Sequence, residues 1–278
     1  MTTSIQSQSG YVDVEGGQIY YEVAGEGHPL VLIHAGVAHL DMWNYQWEAF
    51  TQRYRCIRYD TRGFGRSKTD SEEVSFSNRQ DLYDLLKHLG VDKTYVMGVS
   101  RGGQIATDFT LERPEMVDAL IPVAAGLSGH DGGASEADIA LFNEAEKLWE
   151  AKDFEKLADM EVRMWADGPG QPEGRAAQYV REHLREMILF NYTNQAIEGK
   201  PRVLDPPAAG RLSEIKVPTL VIVGNLDFSD VTSAADALAE GIPGAKKVVI
   251  PGTAHMINME QPEEFTRIVL DFLGSLDR

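Results

Sequence analysis

Three residues of this 278-residue chain, a serine, an acid and a histidine, stand where nucleophilic chemistry could be done. Gly98-Val-Ser100-Arg-Gly102 follows the apolar run Thr94–Met97 and precedes the helical stretch Gln104–Leu111. Strand, sharp turn and helix in that order is the setting in which G-x-S-x-G lifts its serine above the edge of a sheet. The serine backbone is strained there, and bulky side chains two residues away would strike neighbouring backbone; glycine removes the obstacle. A hydroxyl becomes a nucleophile at neutral pH only when a base takes its proton. In open α/β sheets function gathers at the carboxyl ends of the strands. Of the seven histidines, His255 meets that condition, because it follows the last apolar run, in Ile250-Pro-Gly-Thr-Ala-His255. His88 lies in a helical pattern, and His130 and His183 lie in or beside the helical middle of the chain.

The imidazole needs an acid to fix its tautomer and to stabilise its charged form. Asp227 stands just past the run Thr219–Val223 and is the preferred partner. Asp230 is the rival, although Ser229 and Asp230 also suit the start of the helix that follows. The order serine, acid, histidine is the one that goes with this motif. An oxyanion would need two backbone donors. One is the amide of Arg101; the other is the Gly36 amide, with Ala35 as the alternative, in the loop His34-Ala-Gly36. The Arg101 side chain has two readings: it pairs with a nearby carboxylate, or it favours substrates that carry a carboxylate.

The elements that must position these groups are legible as periodicities. Leu30–Ile33, Thr94–Met97, Ala119–Val123, Thr219–Val223 and Lys247–Ile250 are short apolar runs of the kind buried on both faces of a parallel sheet. Gly10–Val14 and Gln18–Val23, with Gly16 and Gly17 between them, read as an antiparallel hairpin at the sheet edge. Leu82, Leu85, Leu86 and Leu89 make one helical stripe that ends at Gly90, and Phe265, Ile268, Val269, Phe272, Leu273 and Leu276 make another. Alternating strand and helix predicts a doubly wound α/β core.

That alternation stops after Gly126. Residues 135–192 carry only helical pattern: Ile139, Phe142 and Trp149, then Phe154, Leu157 and Met164, then Val180, Leu184, Met187 and Ile188. The expected organisation is a core of residues 1–126 and 207–278 with a helical insertion over 127–206, placed before the last two strands. Trp149, Met160, Met164, Trp165 and Phe190 of that insertion, and Trp43 after the oxyanion loop, could line an apolar substrate pocket. They could equally be core, since helical spacing produces such stripes without any ligand.

The motifs His34-Ala-Gly36, Asp60-Thr-Arg-Gly-Phe-Gly-Arg-Ser67, Gly98–Gly103 and Gly252–His255 with Glu260–Glu264 resemble the α/β-hydrolase superfamily along nearly the whole chain. Within it the chain looks most like the carboxylesterase and 3-oxoadipate enol-lactonase-like group, which carries a helical cap where this chain has its insertion. The resemblance implies an α/β-hydrolase fold and hydrolysis of a carboxylic ester or lactone through an acyl-enzyme. A carbon–carbon bond hydrolase, a thioesterase, or a small-ligand receptor on the same scaffold are the alternatives. Asp60–Ser67, charged and glycine-rich, is expected to be a scaffold turn. The His-Gly-Gly-Pro-Gly signature of proline iminopeptidases is absent, and Ser100 stands where haloalkane dehalogenases and epoxide hydrolases would need aspartate.

Composition narrows the setting. The net charge of −17 provides no basic stripe for nucleic acid and would repel anionic membranes. Hydrophobic residues at 43% and charged residues at 25% are ordinary for a globular enzyme. Cys56 is the single cysteine, so no intramolecular disulfide forms, and it is expected to be an inert buried strand residue. Met1–Gln6 has no basic start or apolar run of a leader, and no stretch reaches the roughly 18 apolar residues of a membrane span. The expectation is a cytoplasmic hydrolase of a small molecule, with no metal or organic cofactor.

Overall fold

A computed structural model describes residues 7–194 and 197–276; Met1–Gln6 and residues 195–196 of the expected insertion lie outside the described residues. The strands are β1 (Gln8–Val14), β2 (Gly17–Ala24), β3 (Pro29–Ile33), β4 (Arg55–Tyr59), β5 (Lys68–Thr69), β6 (Ser75–Phe76), β7 (Thr94–Val99), β8 (Val117–Val123), β9 (Lys200–Pro201), β10 (Leu220–Gly224) and β11 (Lys246–Ile250). The helices are α1 (Asn44–Thr51), α2 (Asn78–His88), α3 (Arg101–Glu112), α4 (Glu136–Glu150), α5 (Phe154–Val162), α6 (Gln178–Thr193), α7 (Ser229–Gly241), α8 (Ile257–Glu260) and α9 (Pro262–Gly274).

The main sheet runs β1-β2-β4-β3-β7-β8-β10-β11, with β5 paired to β2. From β4 onward every pairing along that path is parallel, and the β1–β2 hairpin is antiparallel at the edge. Side chains alternate across a strand, so each buried strand feeds two cores. Leu30, Leu32, Cys56, Met97, Ile121 and Ile222 pack with Phe50 and the α9 residues Phe265 and Val269. Val31, Ile33, Ile57, Val96, Leu120 and Val221 pack on the other face with Leu82, Phe109 and Leu238. Cys56 is buried in the first of these cores.

β11 departs from the expected pattern. It is the outer strand, and Lys246, Lys247 and Val249 are exposed rather than buried on both faces. Two lysines on a free edge discourage pairing with another chain. No helix among the described residues is long and apolar enough to cross a membrane.

The insertion follows β8 and precedes β10. α5 runs into a π-helical turn, Arg163–Asp167, so Met164 and Trp165 sit on a widened turn rather than a regular helix. α4 differs from the expected stripe, since Ile139, Phe142 and Trp149 are all at least one-third exposed. Its inward face is Leu141, Ala145 and Leu148, packed on Met160, Met164 and Phe228. A second, two-stranded parallel sheet of β6 and β9 ties the return from the insertion to the segment before α2.

Asp60–Ser67 is a scaffold turn. Buried Asp60 accepts the amides of Leu40 and Arg66, both at 2.8 Å, and burial lifts its carboxyl to about 7. Fully buried Arg62 donates twice to Asp81, at 2.7 and 2.8 Å, and also to the carbonyls of Glu15 and Gly16. Removing one partner of such a pair strands the other charge in the interior. Arg62→Met is therefore expected to lower stability by about 3–5 kcal/mol in urea unfolding.

Candidate active site

β7 is followed directly by Ser100, whose φ of 56° and ψ of −119° place a non-glycine residue in the strained left-handed region. The turn survives because backbone passes backbone at its glycines. A Cβ on Gly98 would lie 2.2 Å from the Gly102 carbonyl, and one on Gly102 would lie 2.4 Å from the Ile33 carbonyl oxygen. Ser100 accepts the Gln104 amide on its carbonyl at 3.0 Å and so begins α3. Its side chain stands at a helix N-terminus, where free amides favour developing negative charge.

His255 lies past β11 and is 2% exposed. Both carboxylate oxygens of Asp227 lie 2.9 Å from its Nδ1. With a carboxylate facing Nδ1, the ring proton is assigned there and Nε2 is left as the base. Asp230 takes no part: its Oδ1 accepts the Val231 amide within the first turn of α7. The loop comes close to β10 because Gly224 leaves room, and a Cβ there would meet the Thr253 carbonyl oxygen at 2.3 Å. Ser100, Asp227 and His255 thus stand at the carboxyl ends of β7, β10 and β11.

The loop after β3 faces α3. A Cβ on Gly36 would touch the Arg101 side chain at 3.5 Å, so the two residues expected to supply oxyanion donors are neighbours. The Ala35 amide points instead to Met42 Sδ at 3.2 Å, which favours Gly36 over Ala35. Buried His34 braces this loop. Its Nε2 accepts the Thr61 amide at 2.9 Å and its Nδ1 donates to the Ala35 carbonyl at 2.8 Å. Burial depresses its pKa to about 3, so it stays neutral and structural.

The Arg101 side chain is paired. Its Nη2 donates to Glu198 Oε1 at 2.7 Å, and its guanidinium lies 4.6 Å from the Phe64 ring centroid. Glu198 belongs to the return from the insertion, just before β9. The guanidinium therefore already has its carboxylate, which weakens the idea of a receptor for anionic substrates.

The aromatic residues proposed to line a pocket divide. The Trp165 ring lies 4.7 Å from the His255 ring and 4.9 Å from Phe228, at the site. Trp43 lies elsewhere, in the core beside Phe265, and is completely buried. Trp149 is 52% exposed, packed on Phe154 and Tyr192. Met160 and Met164 fill the interface between α4 and Phe228, and Phe190 packs on His39. Trp43 follows the packing of the core and Trp149 that of its neighbouring helices, rather than a ligand's shape.

One further group escaped the sequence reading. Arg175 donates to the carbonyls of Asp167 at 2.5 Å, Ala166 at 2.6 Å and Gly252 at 2.6 Å, and it pairs with Glu260. Glu260 in turn accepts the Ala254 amide at 2.9 Å. One guanidinium thus clamps the π turn of the insertion to the loop that carries His255. Its only sequence signal is the Glu260 motif. Among the described residues, no three His, Cys, Asp or Glu side chains group as metal ligands would.

The alpha/beta hydrolase fold family model matches residues 28–262, and the chain belongs to that family. It is 29% identical over 273 residues to the 2-hydroxy-6-oxo-6-phenylhexa-2,4-dienoate hydrolase of Burkholderia cepacia, covering 93% of this chain and 92% of that protein. It is 25% identical over 253 residues to the pimeloyl-[acyl-carrier protein] methyl ester esterase of Nitrosomonas europaea, covering 89% and 96%. Among solved structures, a thermophilic esterase from Thermogutta terrifontis superposes with a TM-score of 0.77 at 26% identity, covering 97% of this chain and 99% of that one.

Two outcomes test the bracing of the site. Arg175→Lys, which cannot reproduce a planar fork of donors, is expected to cost roughly 1–3 kcal/mol in urea unfolding. Arg101→Met is expected to change kcat/KM equally for neutral and anionic esters; a loss confined to anionic esters would mean that Arg101 touches substrate.

Proposed function

We propose that the chain is a serine hydrolase of carboxylic esters, lactones included, that works through an acyl-enzyme. The observation that carries this reading is the carboxylate of Asp227 held against His255 Nδ1, at the same end of the sheet as the strained serine elbow. Ser100 attacks the carbonyl carbon while His255 Nε2 takes the hydroxyl proton. The amides of Gly36 and Arg101 receive the negative charge that forms on the carbonyl oxygen. His255 returns the proton to the departing alcohol, and Asp227 stabilises the imidazolium between the two transfers. Water then repeats the sequence on the acyl-enzyme. The inserted helices α4–α6 act as the cap, with Trp165 as the part of it nearest the reacting groups.

A cytoplasmic setting suits the single buried thiol, and the partner is a small molecule. The same three residues would serve a carbon–carbon bond hydrolase, a reading favoured by the likeness to the dienoate hydrolase. Substrate profiling separates the two. Wild type is expected to hydrolyse p-nitrophenyl acetate, butyrate or octanoate, and Ser100→Ala to lose at least about a thousandfold in kcat. A fluorophosphonate should label Ser100 stoichiometrically by mass. Labelling without ester turnover would move the reading to carbon–carbon bond cleavage. Turnover that survives Ser100→Ala would end the serine mechanism altogether.

A further inference from the structure

The acyl-enzyme chemistry leaves one enclosed carboxyl of the insertion unused. Asp159 of α5 and Arg163, the first residue of the π turn, face outward and are exposed. Met160 turns toward α4, while Ala158 and Val162 enter the core shared with Leu184 and Ile188 of α6. At 100° per residue, Glu161 falls opposite the outward face, between these two packed flanks. Trp165 stands four residues further on, within the π turn, and its ring lies 4.7 Å from His255. Glu161 thus stands on the inward strip of α5, four residues before the residue of the insertion that touches His255.

Its surroundings are unusual for a carboxylate. Oε2 accepts the Tyr192 hydroxyl at 2.6 Å, and Oε1 has no hydrogen bond among the described residues. No cation is paired with it among those residues. Lys156 is engaged with Asp153, and Arg185 is engaged with Glu155 and Asp159, on the outer side. Burial raises the carboxyl to about 7, against the pull of the Tyr192 hydrogen bond. Yet Glu161 is only half-buried, so part of it remains within reach of a ligand. An enclosed anion without a cation is costly, and a ligand cation would offset that cost. The net charge of −17 also draws cations toward the molecule. Trp165, four residues on, adds an aromatic ring, a surface that cations favour.

We propose that Glu161, held by Tyr192, recognises an ammonium group on the substrate, so that the preferred ester carries a positive charge away from its scissile carbonyl. This rests on the ester-hydrolase reading above and names its substrate class. Glu161 acts on specificity and leaves the chemical step to Ser100 and His255.

The test is a matched set of esters: p-nitrophenyl 4-(trimethylammonio)butyrate, its uncharged isostere p-nitrophenyl 5,5-dimethylhexanoate, and anionic p-nitrophenyl hydrogen glutarate. Wild type should favour the cationic ester over the isostere by about tenfold or more in kcat/KM, mainly through KM. Glu161→Gln should bring that ratio close to one, and Glu161→Asp should keep part of it. A ratio is insensitive to partial loss of active protein, and the wild-type ratio requires no variant to fold. A wild type without cation preference overturns the proposal, as does a preference that Glu161→Gln leaves intact. Preference for the glutarate ester that Glu161→Gln leaves intact overturns it too, since Glu161 would then act as a neutral donor, a role that a glutamine amide also fills. Isostere turnover that survives Ser100→Ala would instead sink the ester-hydrolase reading.

Discussion

At Ser100 the chain leaves β7 and enters α3 through a backbone conformation that a residue with a side chain rarely adopts, and most of the molecule is arranged to hold it there. Gly98 and Gly102 let the turn close on itself and on the end of β3, because any side chain at either position would occupy neighbouring backbone. Once the turn is closed, β3 must end beside α3, and the loop after β3 must face Arg101. The parallel sheet supplies the rigidity: β7 is hydrogen-bonded on both sides, to β3 and β8, and every residue of it is buried.

Polar groups buried in loops do the remaining positioning, and each is satisfied by backbone. Neutral His34 holds the β3 loop to Thr61, and Asp60 holds its own turn to the amides of Leu40 and Arg66. Arg175 and Glu260 hold the His255 loop to the insertion. Hydrogen bonds to charged groups are among the stronger ones in folded proteins, which suits loops that cannot rely on a sheet or helix of their own.

The insertion plays two parts with one helix. The π turn at the end of α5 widens the backbone where Trp165 meets His255, and such turns are frequent at functional sites. The regular turns before it divide their packed residues between α4 and α6. α4 is the looser partner: it is pinned at its start, where Ser229 donates to Asp138 at 2.7 Å, and it leaves Ile139, Phe142 and Trp149 on the surface.

Local pattern alone determined the central strands, the hairpin, the elbow and the order of Ser100, Asp227 and His255, because each depends on residues within a few positions of one another; the short strands β5, β6 and β9 and the exposed edge of β11 were not legible. Glycine spacing at the elbow is a steric requirement of neighbours in the chain, and alternation along a strand follows from its geometry. Tertiary structure alone decided which side chains meet across the fold. Arg175 pairs with Glu260 over 85 residues, Arg101 with Glu198 over 97, and Glu161 with Tyr192 across two helices. It also sent Trp43 into the core and Trp149 to the surface, although both were equally candidates to line a pocket. A helical period shows that a stripe exists; the direction it faces is set by helix packing angles, and those depend on partners far away in the chain.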